Sequence, residues 1–258
     1  MTVIAVFNQK GGVGKTTVTA NLAAAMAQNG HAPFVIDLDP QAHLSHYWGF
    51  SQQVQKPRHS VHEFFRGVLP LSELAVALDN GIHFVPSHLE LSKVDAQITR
   101  HRDHIWRLKL GLTAEMLAGS TPILIDCGPM LGVLSFAALL AADLILVPVA
   151  PETLALNGAA MTERTLLGLE KLDERKQRRY LLNRHTPGSV ASEAVLKQMQ
   201  RHFYNEVLKT RIRYSESFEA AVIGQSNVFD IEPNGSAAQD FGFLLDELVE
   251  NELVKLHG

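Results

Sequence analysis

Short, almost wholly apolar runs alternate along this chain with longer stretches in which apolar residues recur every three or four positions. The runs VIAVF at 3–7, FVIDLD at 34–39, IHFVP at 82–86, PILIDC at 122–127, LILVPV at 144–149, RYLLN at 179–183 and VLKTRI at 207–212 have the length and β-branched content of strands. Several lack polar alternation, as strands covered on both faces do. Helical spacing occupies 16–28, 104–118, 153–175, 190–204 and 236–255, and in the last of these Phe241, Leu244, Leu245, Leu248 and Leu253 form one packing face. Strand and helix in succession predict an α/β fold, a doubly wound, mostly parallel sheet flanked by helices on both faces. Residues 41–62 follow neither period and are expected to be irregular. No internal repeat, low-complexity tract or linker interrupts the pattern.

Composition narrows the class. With 258 residues, 46% of them hydrophobic, the chain can bury a full core and reads as a single domain over 1–258. No window reaches the roughly 18 apolar residues of a membrane span, and MTVIAVFNQ lacks the layout of an export signal, so a soluble cytoplasmic protein is expected. The single cysteine, Cys127, excludes an internal disulfide and reads as a buried residue at a strand end. The net charge of −4 conceals a division: residues 164–213 hold 12 Lys/Arg against 5 Asp/Glu, whereas 214–258 hold 1 against 9.

Candidate chemistry concentrates in NQKGGVGKTT at 8–17, between the first strand and the first helix. Gly11, Gly12 and Gly14, with Val13 among them, allow backbone N–H groups to approach phosphate oxygens at a helix N-terminus. Lys15 is placed to reach β- and γ-phosphates, Thr16 to put its hydroxyl on Mg²⁺, and Thr17 to add a phosphate contact. The pattern departs from G-x-x-x-x-G-K-[ST] because Gln9 stands where the first glycine belongs and a second lysine, Lys10, enters the loop.

KGGVGKTT resembles the deviant Walker A loop of the ParA/MinD ATPases. The likeness extends to VIDLDPQAHLS, to GIHFVPSHLELSKVD, to ILIDCGPMLG as a Walker B strand, to ADLILVPVAPETLALNGAA and to NVFDIEPNGSAAQDF, and so covers nearly the whole chain. It implies an ATP-dependent sandwich dimer in which Lys10 of each subunit reaches the phosphates held by the other. Asp39 then orients the attacking water and helps order the hydration of Mg²⁺, with Asp37 in support, and Asp126 holds Mg²⁺ through a water. Lys10, Lys15 and Asp39 are the catalytic set, with slow turnover raised by an adaptor protein. Aspartates at strand ends also serve as helix caps or turn residues; the ordered set of motifs favours the site. Asn183, ending RYLLN, falls where related ATPases set an amide against the purine, a strand-ending turn being the other reading. In KTRIRYSESFEAA at 209–221, Arg213 keeps an arginine of the partition ATPases, while Ile212 and Tyr214 replace their proline and asparagine.

The same resemblance gives the basic block a partner, nonspecific double-stranded DNA of the nucleoid, with Arg184, Arg201, Arg211 and Arg213 as candidate contacts. Ion pairs with Glu170, Asp173 and Glu174 are the alternative for some of its members. No helix-turn-helix pattern precedes the loop, so sequence-specific reading is not expected. The cargo, whether plasmid, chromosome or a large assembly such as a carboxysome, is chosen by the adaptor. Two other readings stand beside this one. A MinD-like membrane protein needs a basic amphipathic tail, and DFGFLLDELVENELVKLHG is acidic; a metabolic enzyme on this scaffold needs cysteine clusters or substrate motifs, which are absent. The 12 histidines, including HLSH, HSVH and HRDH, read as surface or partner-contacting residues. Trp48 and Phe50 fit core or partner contact, and Glu152 fits the nucleotide, the partner lysine or solvent.

Overall fold

The computed structural model describes residues 2–50, 57–97, 102–115 and 121–256. Its strands are β1 (Val3–Val6), β2 (Phe34–Asp37), β3 (Val76–Ala77), β4 (His83–Val85), β5 (Ile123–Asp126), β6 (Leu144–Val149), β7 (Gln177–His185) and β8 (Val207–Arg213). The helices are α1 (Lys15–Gln28), α2 (His43–Tyr47), α3 (Val61–Arg66), α4 (Leu71–Leu74), α5 (Ser92–Gln97), α6 (Arg107–Ala114), α7 (Val133–Ala141), α8 (Thr153–Leu169), α9 (Val190–Phe203), α10 (Ser217–Ile223), α11 (Val228–Ile231) and α12 (Ser236–Glu250). One sheet runs in the order β3-β4-β2-β5-β1-β6-β7-β8, and every pairing is parallel except β3 with β4. The expected fold class is the one observed.

The pleat explains why the central strands are apolar throughout. Ala5, Ile36, Ile125 and Val147 enter one buried cluster, with residues of α7, α8 and α9, while Ile4, Val6, Val35, Leu124 and Leu146 enter another, with residues of α1 and α12. The face foreseen in the tail is realised: Phe241, Leu244, Leu245, Leu248 and Leu253 are all buried. The opposing charges of the basic and acidic blocks also meet there. β8 is a sheet edge, and Glu247 of α12 accepts the Lys209 and Thr210 N–H groups at 2.8 Å each, while Asp240 accepts that of Arg213 at 2.8 Å. Edge donors that would otherwise face solvent or another strand are thereby satisfied.

Several expectations need correction. Within 41–62 the chain forms α2, a 3-10 turn at Pro57–His59 and the start of α3; residues 51–56 lie outside the described residues. Trp48 and Phe50 are core-side, packing edge-on to Phe84 with centroids 4.9 and 5.2 Å away. The sequence VLSFAALLA, which forms α7, is apolar on nearly every side and carries no helical period. The helices placed at 153–175 and 236–255 stop at Leu169 and Glu250, because apolar spacing continues past the last turn. The one placed at 104–118 is a 3-10 turn followed by α6, and residues 116–120 lie outside the described residues. No described helix is long and apolar enough to cross a membrane.

Candidate nucleotide site

β1 lies between β5 and β6, so the chain leaves it in one direction for β2 and later returns on the other side. That reversal opens a crevice at the carboxyl ends of the strands, where ligands of such sheets bind. The loop after β1 fills it. Gly12 and Gly14 adopt φ of 76° and 86°, left-handed values that glycine tolerates without strain, and Val13 between them is buried as an anchor. No side chain caps α1, which leaves the N–H groups of its first turn for a ligand.

The start of the loop is held against α8. Asn8 donates to Pro148 O at 2.8 Å and accepts the Lys10 N–H at 2.9 Å, and Gln9 Nε2 donates to Thr165 Oγ1 at 2.6 Å. Gln9 therefore has a role that glycine cannot fill. The approach is close enough that a Cβ on Gly158 would come within 2.6 Å of Lys10 Cβ. Among the described residues the hydrogen bonds at Lys10 run through its backbone, including one from Lys15 Nζ to its carbonyl at 3.1 Å. Lys10 is half-buried. Lys15 itself is buried, and burial lowers its pKa against the opposing pull of Asp126, a setting in which an anion is a favourable neighbour.

Two acidic strands meet beside this loop, with Asp37 in register with Asp126 across β2 and β5. Asp126 accepts the hydroxyls of Thr16 at 2.8 Å and Thr19 at 3.2 Å, and burial lifts its pKa to about 7. A buried carboxylate beside a threonine hydroxyl, with Lys15 as its nearby cation, fits a hydrated divalent cation. Among the described residues no three His, Cys, Asp or Glu gather as a metal cage, in keeping with a cation that takes most of its ligands from water and phosphate.

Asp37 is raised well above the carboxylate range by burial, with Asp126 adding to the shift. Its oxygens accept the Ser45 N–H and hydroxyl at 2.8 and 2.6 Å and the Asp39 N–H at 3.1 Å, so it shapes the turn that carries Asp39. Asp39 accepts the Gln41 N–H at 2.9 Å, and Ser87 donates to the Asp39 carbonyl at 2.7 Å while its own N–H goes to Ser45 Oγ. Ser45 and Ser87 carry no sequence signal beyond lying within the flanking motifs VIDLDPQAHLS and GIHFVPSHLELSKVD. Next to Asp39 a cleft of about 560 Å³ opens among Leu38, Pro40, Cys127, Pro129, Met130 and Leu134. Cys127 is buried with its thiol pushed well above its usual range by burial, which argues against a nucleophile.

The remaining candidates divide. Asn183 does not end its strand; it is buried inside β7, and its amide reaches the phosphate loop, as does Arg184. Arg213 is turned to the tail by a bidentate pair with Asp240, closest approach 2.7 Å, and Arg211 lies 3.6 Å from Glu193. Arg201 is exposed on α9, one turn from exposed Lys197. Elsewhere in the basic block, Arg178 is fully buried and paired with Glu163 and Glu170, and Arg175 and Lys176 are paired with Glu206 and Asp173. Glu152 is exposed at the N-terminus of α8. Beyond the loop, Leu154 and Met161 on α8 and Met130 after β5 are exposed apolar side chains, Met130 at 78%.

Comparison with known proteins agrees with this geometry. A family model described as an AAA domain matches residues 1–178. The chromosome partitioning protein ParA of Caulobacter vibrioides is 33% identical over 246 residues, spanning 92% of this chain and 90% of its own. Cobyrinic acid a,c-diamide synthase of Mycobacterium smegmatis, solved with an ATP analogue and magnesium, has a TM-score of 0.84 at 27% identity, over 99% of this chain and 98% of that one. Apo McdA from Cyanothece shares the fold, with a TM-score of 0.86 at 21% identity over 96% of this chain and 99% of the other.

Proposed function

The chain belongs to the ParA/MinD family of P-loop ATPases, and from that premise we propose that it is a ParA-type positioning switch. It binds ATP with Mg²⁺, pairs with a second copy across the nucleotides, associates with nonspecific DNA in that state and is released when an adaptor protein stimulates hydrolysis. The convergence of Lys15, Thr16, Asp39 and Asp126 at the carboxyl ends of β1, β2 and β5 carries this reading.

Each residue has a physical task. The N–H groups of the loop and first turn of α1 bind the phosphate chain, and Lys15 neutralises its β–γ region. Thr16 and Asp126 would hold the cation, Thr16 by its hydroxyl and Asp126 through a water. When bound, Mg²⁺ supplies positive charge to the phosphate oxygens. Asp39, fixed by the Asp37–Ser45–Ser87 network, orients the attacking water. On this reading the Lys10 ammonium reaches the phosphates of a facing subunit, and the exposed Leu154, Met161 and Met130 offer apolar area for the pair to bury. None of these groups is a strong base toward water, so turnover of the chain alone is slow and depends on what the adaptor contributes.

The same dimer presents twice the exposed cations of one subunit, among them Lys197 and Arg201 on α9 and Arg164 on α8. Phosphates attract such a surface without sequence readout. In a gel shift on random duplex, retention is expected with ATP and not with ADP, and it should weaken steeply as salt rises. Retention that ignores nucleotide or salt removes DNA from the cycle. The likeness to cobyrinic acid a,c-diamide synthase, together with the cleft beside Asp39, favours a second reading, ATP-dependent activation of a small acid. ATP turnover that requires such a molecule and no protein partner would decide for it.

A further inference from the structure

The carboxyl end of β7 lies over the phosphate loop, and two consecutive side chains there reach two consecutive loop carbonyls. Asn183 Nδ2 donates to Val13 O at 2.8 Å, and Arg184 Nη1 donates to Gly12 O at 3.3 Å. A carbonyl only accepts, so the Asn183 amide must present its nitrogen to Val13. The fit is close: a Cβ on Gly14 would fall 2.3 Å from Asn183 Nδ2.

The backbone of β7 is shaped for these contacts. Its pairing with β8 slips between Leu182 and His185, and Arg184, inside the slip, adopts φ of 57°, a left-handed value uncommon for a residue with a side chain. Such irregularities re-aim a side chain that a regular strand would point elsewhere. In a trans peptide the C=O of one residue and the N–H of the next point in opposite directions. Holding the Gly12 and Val13 carbonyls against β7 therefore turns the Val13 and Gly14 N–H groups the other way, away from β7.

We propose that Asn183 and Arg184 are positioning residues that clamp the phosphate loop in its anion-binding conformation, which assigns Arg184 to the nucleotide site and not to a DNA surface. The assignment rests on the loop being a triphosphate cradle. Both residues touch the loop and leave Asp39 alone, so they govern affinity and not the hydrolytic step.

The test uses Arg184→Ala and Arg184→Lys, both at an exposed side chain, with ATP and ADP titrated separately against the full chain. Arg184→Ala is expected to weaken both nucleotides together by about three- to tenfold, the scale of one partly exposed hydrogen bond from a charged donor. KM for ATP rises by the same factor while kcat is kept, and Arg184→Lys recovers most of the loss. DNA retention at saturating ATP stays at the wild-type level. Unchanged ATP and ADP affinities in Arg184→Ala overturn the clamp, and weakened DNA retention at saturating ATP returns Arg184 to the DNA surface. Failure of the wild-type chain to bind ATP overturns the reading beneath the proposal instead.

Discussion

Replacing Asp39 by alanine is expected to lower single-turnover ATP hydrolysis by about 10²-fold, the scale of losing the group that positions the attacking water, while ATP remains bound. The structure separates the two effects. Asp39 is nearly buried beside the cleft, held by Gln41 N–H and by the turn that Asp37 shapes, whereas the phosphate cradle is built from the loop after β1 and from α1. Removing the carboxylate leaves that cradle intact. The variant should therefore accumulate as an ATP-bound dimer, visible as a doubled mass in light scattering after ATP and not after ADP. Hydrolysis within about threefold of wild type, the spread of ordinary surface substitutions, would remove Asp39 from the reaction.

Lys10→Ala is expected to keep ATP binding and to lose the ATP-dependent dimer. The loop conformation does not depend on the Lys10 side chain, because the hydrogen bonds that hold Lys10 belong to its backbone and survive truncation of the side chain. Truncating one partner of a buried interfacial charge pair costs about 2 kcal/mol or more. In a two-fold dimer each substitution is felt twice, so about 4 kcal/mol is lost, a weakening of the dimer near 10³-fold. Light scattering across a protein concentration series with ATP measures the shift directly. A variant that dimerises with ATP at wild-type concentrations shows that Lys10 does not bridge the subunits.

Both experiments start from residues legible in the sequence, since a glycine-rich loop and two strand-end aspartates are local patterns whose spacing reflects backbone chemistry. Asn183 shows where such legibility ends. The run RYLLN ends at residue 183 by composition, yet β7 continues to His185, because pairing with β8, where His185 registers with Arg213, extends the strand over polar residues that period and propensity would leave outside. α7 was hidden for a related reason: buried on most sides, it has no polar face to give it a period.

The charge blocks separate in the same way. Composition divides the chain into a basic and an acidic portion, but not the ways the cations are used: buried Arg178 pairs with the half-buried Glu163 and Glu170, Arg213 binds Asp240 of α12, Arg184 holds a loop carbonyl, and Lys197 and Arg201 face solvent. What the sequence by itself determined was the order of strands and helices, the phosphate loop and the acidic strand ends, all set by neighbours a few residues apart. Only the tertiary structure decided which cations are free, that Asp37 shapes the turn bearing Asp39, and that β7 grips the loop. Those contacts join residues up to 172 positions apart, and partner choice over such spans follows from packing and the satisfaction of buried polar groups, which no local pattern encodes.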